Sequence, residues 1–194
     1  MITREWSDFM NRLEMMQQQI DWYLSKKERL IIAIDGPCTS GKSTLAAFLS
    51  NAYDCNIFHM DDFFLRPEQR TADRYAQAGG NVDYERFQEE ILTPLLSGSE
   101  FTYRPFNCKS LSLSEPVQVQ PKKLNIIEGS YSMHPYFGNP YDLRVLLTVE
   151  PETQLLRIKE RPAFLQQRFI NEWIPMENRY LEEFKIRKSA DIIL

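Results

Sequence analysis

Ten residues near the start of the chain, "DGPCTSGKST" (Asp35–Thr44), pack glycines, one lysine and several hydroxyls directly behind the apolar run "LIIAI". The spacing Gly36-x-x-x-x-Gly41-Lys42-Ser43 matches the P-loop pattern. That pattern has a physical job. Glycines let backbone N–H groups turn inward around phosphate oxygens. The helix that follows offers its positive end. Lys42 has the length to reach β- and γ-phosphates, and the Ser43 hydroxyl suits Mg²⁺. The nucleotide-binding set read from the motif is Gly36, Pro37, Cys38, Thr39, Ser40, Gly41, Lys42, Ser43 and Thr44. A glycine turn that merely joins strand to helix is the plainer alternative. The match falls between an apolar run and a helical pattern, where the phosphate-binding mechanism needs it. Cys38 lies in an electropositive turn that can lower a thiol pKa, but we read it as a small residue that fits a tight bend.

Phosphoryl transfer also asks for a second metal anchor and a base for the incoming hydroxyl. In parallel sheets such groups sit at the C-terminal ends of strands. Two acidic clusters qualify: Asp61 and Asp62 in "HMDDFF", and Glu128 in "IIEGSY". Phe63, Phe64, Tyr75, Tyr84, Tyr103 and Phe106 gather in the irregular middle of the chain. Such aromatics either stack on a flat ligand or fill a core. Arg157, Lys159, Arg161 and Arg168 follow the fourth expected strand, either as a solvated face or as a basic segment that closes on a triphosphate. No N-K-x-D motif of a GTPase is present, and "LSGSE" (Leu96–Glu100) is a chance likeness to a transporter signature.

These groups need elements to hold them. Apolar positions at helical spacing from Trp6 to Leu24 predict an amphipathic helix over 3–24 that packs on the body. "LIIAID", "CNIFHM", "KLNIIEG", "LRVLLTVE" and "DIIL" read as strands. "STLAAFLSNAY", "VDYERFQEEILTPLL", "PETQLLRIKE" and "ENRYLEEFKIRKSA" read as helices, the second opened by Asp83 with Pro94 near its end. Residues 61–82 lack periodicity and predict a functional loop. "FTYRPFN" and "EPVQVQP" read as short edge strands, since proline is excluded from a sheet centre. Strands alternating with helices imply a parallel α/β sheet covered on both faces.

The 194 residues, 43% hydrophobic and 26% charged, suit one globular domain over 1–194, with 1–27 as an N-terminal helical extension. No stretch approaches the ~20 apolar residues of a membrane span, and the acidic, periodic N-terminus is no secretion signal. A net charge of −4 argues against wrapping nucleic acid. Cys38, Cys55 and Cys108 have no paired spacing, which points to reduced thiols, a cytoplasmic setting and no structural zinc. Homo-oligomerisation is left open.

Taken in order, the P-loop, "HMDDFF", "GGNVDYERF" and "IIEGSYSMHP" resemble the uridine kinase/phosphoribulokinase branch of P-loop kinases, over most of residues 30–194. The resemblance implies an α/β P-loop NTPase three-layer sandwich with a mainly parallel sheet, a small β-hairpin acceptor region and a short basic lid. It implies ATP and Mg²⁺ as cofactors and a small-molecule acceptor, a nucleoside foremost. Pantothenate, a sugar phosphate and nicotinamide riboside stay open, as does a nucleotide-binding regulator. By the same resemblance Asp61 is the base, Ser43 and Glu128 hold Mg²⁺, Asp83 binds sugar hydroxyls, and Arg157 and Arg161 contact phosphate. Phe64, Tyr103, Arg104 and Cys108 fall on the acceptor side. Tyr103 matches a base-contacting hairpin aromatic. Cys108 stands where that branch has a histidine, and Arg104 where an acid is common. The helix over 3–24 lies outside the resemblance.

Overall fold

The computed structural model describes residues 4–194, with side chains from Ser7 onward. Position 3 and the side chain of Trp6, both part of the expected first helix, lie outside them. That helix, α1, runs Arg4–Lys26. It is followed by β1 (Leu30–Asp35), α2 (Lys42–Ala52) and β2 (Cys55–His59). Further on come β7 (Leu124–Glu128), β8 (Leu143–Leu146) and β9 (Ile192–Ile193), after the intervening elements given below. These five strands form one sheet in the order β2-β7-β1-β8-β9, and every pairing is parallel.

All six residues of β1 are buried, as a central parallel strand demands. Strand alternation splits them between two cores. Leu30, Ile32 and Ile34 face α1 and α2, where Leu13, Met16, Ile20, Leu45 and Leu49 meet them. Ile31 and Ala33 face the other side, against Phe87, Ile91 and Leu92, and against Tyr180 and Ile186 near the C-terminus. The layers are therefore helix, sheet, helix. α1 packs on the body through its apolar stripe, and Arg12 Nη1 donates to the Ile193 carbonyl at 3.0 Å.

The segment 61–82 carries more structure than a loop. Met60–Phe63 and Pro67–Gln69 are 3₁₀ turns, α3 is Ala72–Tyr75, and Phe64 bridges Val82. The hydrogen bonds here are too local to leave a periodic signal. The helix expected over 82–96 is α4 (Tyr84–Phe87), a π turn (Gln88–Leu92) and α5 (Thr93–Ser97). Pro94 has no N–H to donate, and the ladder widens just before it, with Thr93 N–H donating to the Gln88 carbonyl. The pattern recurs near the C-terminus. α6 (Pro151–Lys159) and α7 (Ala163–Arg168) lead to a second π turn (Phe169–Trp173), then α8 (Ile174–Glu183). There Ile174 N–H donates to the Phe169 carbonyl, immediately before Pro175. The basic segment after β8 is thus helical past the expected helix over 151–160 as well. The last expected helix is also divided. Lys185 takes a left-handed conformation (φ 52°) between α8 and α9 (Ile186–Ser189).

The edge segments form two small antiparallel pairs. β3 (Phe101–Tyr103) pairs β6 (Val117–Val119), and β4 (Phe106–Asn107) pairs β5 (Ser112–Leu113). β5 was not visible in the sequence, being two residues long. No helix among the described residues is long and apolar enough to cross a membrane.

Met16 and Ile20 have no solvent exposure. Ile20→Ala should cost about 2–5 kcal/mol of unfolding free energy, measured by urea denaturation. A loss under about 0.5 kcal/mol would show α1 to be a loose appendage rather than part of the core.

Candidate active site

The C-terminal ends of β1, β2 and β7 bring the candidate residues together. β1 ends in Asp35, fully buried. Its carboxylate accepts from Gly36 N–H (2.7 Å), Tyr131 N–H (3.2 Å), Met133 N–H (2.8 Å) and the Tyr180 hydroxyl (2.7 Å). Burial pushes the carboxyl up, while these donors and Lys42 pull the other way. Gly36, next along, has φ 145°, and a Cβ there would lie 2.4 Å from the Leu147 carbonyl oxygen. Glycine is the one residue this entry to the loop accepts.

The loop then turns into α2, whose N-cap is Gly41 at φ 103°. Lys42 is buried, and its Nζ donates to the Gly36 and Pro37 carbonyls at 2.9 and 2.8 Å. The outer turn is clamped from the C-terminal third of the chain. Cys38 N–H donates to Glu177 (2.8 Å), Gln154 Nε2 to the Cys38 carbonyl (3.0 Å), and Arg157 Nη1 to the Thr39 carbonyl (2.7 Å). Arg161 lines the same cavity as Arg157, so both expected phosphate arginines lie beside the loop. The hydroxyls of Thr39 and Ser40 are buried without a hydrogen-bond partner.

Ser43 Oγ donates to Glu128 Oε1 at 3.1 Å, and His59 Nδ1 lies 2.5 Å from the same oxygen. That contact raises the His59 pKa against the opposing effect of its partial burial. Among the described residues no cluster of three or more His, Cys, Asp and Glu has metal-holding form. A hydroxyl beside one carboxylate instead suits Mg²⁺, which keeps waters and phosphate oxygens as its other ligands. The inward-turned loop, its orphan hydroxyls and the Ser43–Glu128 pair together fit a Mg²⁺ nucleotide.

Asp61 and Asp62 diverge. Asp62 receives the Tyr103 hydroxyl at 3.4 Å, and its carbonyl accepts from Arg86. Asp61 keeps solvent access, with protein crowded around its carboxyl. That desolvation raises its carboxyl, Lys42 opposes the rise, and Glu128 and Glu177 add to it. Asp83 is 1% exposed and caps α4 through Arg86 N–H at 3.2 Å. Its Oδ2 has no hydrogen-bond partner and lies 3.6 Å from Nε of both Arg66 and Arg86.

Among the six aromatics singled out, Phe63, Tyr84, Tyr103 and Phe106 are buried, Phe64 is half-buried and Tyr75 is exposed. The Tyr103 ring stacks against Phe63 at 5.8 Å, so it belongs to the core, with its hydroxyl directed to Asp62. Arg104 bonds to its own hairpin. Its guanidinium donates to the Ser114 and Leu113 carbonyls, tying the hairpin to itself. Part of its fork of donors is therefore committed within the hairpin. Cys108 is exposed at the end of β4, close enough to Asp61, Arg70 and Arg168 for all three to act on its thiol.

Glu177, Ser130, Tyr180 and His59 were not singled out from the sequence. Ser130 Oγ lies 2.8 Å from Glu177 Oε1 and 3.0 Å from the Gly36 carbonyl. His59 alone had a local signal, its place beside Asp61 at a strand end.

Fold and site together define a P-loop α/β protein. Structurally the chain is similar to a protein provisionally named as a uridine kinase from Bacillus stearothermophilus, with a TM-score of 0.72 and 22% identity over 96% of this chain and 99% of that one. It is also similar to a protein provisionally named as a fructose transport system kinase from a Silicibacter species, with a TM-score of 0.70 and 20% identity over 94% and 98% of the two chains. At these identities the likeness establishes the fold. No protein-family model matches the sequence, and neither does any curated protein.

Burial, the Glu177 charge and its hydrogen bond push the Cys38 thiol up to about 12. Fewer thiolates form, and their higher basicity offsets this only in part. Cys38 should therefore alkylate with iodoacetamide at pH 8 roughly ten- to a hundredfold more slowly than an ordinary thiol. Glu177→Gln should speed it. A fast Cys38 in the unmodified protein would contradict the clamp.

Proposed function

We propose that the protein is an ATP- and Mg²⁺-dependent kinase that transfers the γ-phosphoryl group to a hydroxyl of a small metabolite, with a nucleoside as the leading acceptor. One observation carries the reading: Lys42, the Ser43–Glu128 pair and Asp61 converge at one end of the sheet, where Asp61 feels both Lys42 and Glu128. The likeness to kinase structures supports it.

Asp61 orients the acceptor hydroxyl and takes its proton, its raised carboxyl being the better matched base. Lys42 exchanges its loop carbonyls for phosphate oxygens, and Arg157 and Arg161 add positive charge from the other side. Ser43 and Glu128 would hold Mg²⁺, which when bound neutralises charge on the β- and γ-phosphates. Asp83 has a buried oxygen ready to accept from a ligand hydroxyl. Tyr103 and Cys108 border the acceptor side. Cys108 is a weak hydrogen-bonding group, so a base-reading site built there separates uridine from cytidine poorly.

The deciding experiment offers ATP and Mg²⁺ with pooled nucleosides, pantothenate and sugar phosphates, and measures ADP above a no-acceptor control. Lys42→Ala should cut turnover by roughly 10²–10³, and Asp61→Asn by roughly 10²–10⁴ with ATP binding retained. Asp62→Asn should be milder. Equal losses at the two aspartates would overturn the assignment of the base. Because Asp61 must be ionised to act, kcat/KM should rise with pH through a midpoint above the ordinary carboxylate range. A profile with no acid limb would remove Asp61 from the role.

A further inference from the structure

The P-loop opens into a cavity of about 1120 Å³ whose lining is of two kinds. One part is polar and includes Ser43, Arg157 and the loop. The other is apolar and includes Phe9 and Met10 from α1, and Phe48 from α2. Met10 is 44% exposed and Phe48 43%, so two large apolar side chains face the opening instead of the core. A phosphate chain gains nothing from such a wall. A flat heteroaromatic base does, through area burial and stacking.

Spacing agrees. Phe48 lies five residues along α2 from Ser43, which at 1.5 Å per residue is about 7.5 Å further from the phosphate end. That is the scale of a ribose and its α-phosphate. The wall is also held firmly. One turn on from Phe9, Leu13 lines the cavity and is buried in the core with Met16 and Ile20. Arg12 fastens the same turn to the last strand. The nearby Thr148 hydroxyl is committed to the Leu194 carbonyl at 3.0 Å, so it is not the group that grips a base there.

We propose that α1 is part of the donor site: Phe9 and Met10, with Phe48 of α2, form the wall on which the base of the donor nucleotide rests. The proposal rests on the nucleotide-binding reading of the P-loop and extends it to an element outside the motif.

The test separates the base from the phosphates. Binding of ATP and of inorganic tripolyphosphate, each with Mg²⁺, is measured by calorimetry on the full chain. In Met10→Ala and Phe48→Ala, ATP should weaken roughly 5- to 100-fold, the range for losing a stacking contact. Tripolyphosphate should stay within about twofold, since no phosphate contact changes. Phe48→Tyr, which keeps a ring, should retain ATP affinity and exclude a general folding defect. Lys42→Ala should weaken both ligands. If both ligands bind the unmodified protein and the wall variants leave ATP affinity unchanged, the α1 proposal is overturned and the P-loop reading stands. If neither ligand binds the unmodified protein, the P-loop reading fails and the wall falls with it.

Discussion

A single buried carboxylate organises the active end of the molecule. Asp35 closes the central strand and receives four donors, from the loop entry, from two positions after β7 and from α8. A buried carboxylate without such partners would be prohibitively costly. The requirement therefore works in reverse: the three segments must come together for the acid to be tolerated. Tyr131 shows the force of this constraint. It takes a left-handed backbone at φ 76°, unusual for an aromatic, while its N–H meets Asp35 and its ring packs on Tyr180 at 4.8 Å.

Tyr180 and Glu177 are three residues apart on α8 and share a face. When Tyr180 reaches Asp35, Glu177 is carried to Cys38 and Ser130. One helix thus sets both the buried hub and the outer turn of the phosphate loop. The remaining charges, on Asp61 and Glu128, come from strand ends on the same side of the sheet, and Lys42 stands among them. Parallel pairing in register delivers them, with His59 opposite Glu128 in the β2–β7 ladder and Ile34 opposite it in the β1–β7 ladder.

What could be read from the sequence follows from how far each signal travels along the chain. The P-loop is ten contiguous residues and was legible in full. The acid-ended strands were legible because parallel-strand burial writes an unbroken apolar run. α1 was legible from its periodicity, to within two residues at its C-terminal end. Glu177 was not. Its partner Cys38 lies 139 residues away, and nothing in "PMENRYLEE" distinguishes it from a solvated acid. The local bonds of Arg104 were not legible either, because a hairpin of two-residue strands leaves no pattern by which to see that the carbonyls of Leu113 and Ser114 would accept from it. The first π turn had a cue, Pro94 inside the helical pattern, but a proline read as a terminus hides a widened turn, and the second π turn lies ahead of the expected last helix.

The central position of β1 has a temporal consequence. Its partners β7 and β8 begin at Leu124 and Leu143, so the run Leu30–Ile34 waits about ninety residues of synthesis for its first ladder. A five-residue aliphatic run with unpaired backbone is the kind of segment that recruits other chains. Two helices flank it in sequence, α1 before and α2 after, and in the finished molecule both cover its Leu30–Ile32–Ile34 face. They can meet that face with short loops and little entropy cost while the rest of the chain is still being made. Seen over the life of the chain, α1 is an early guardian of the strand that later carries the phosphate loop.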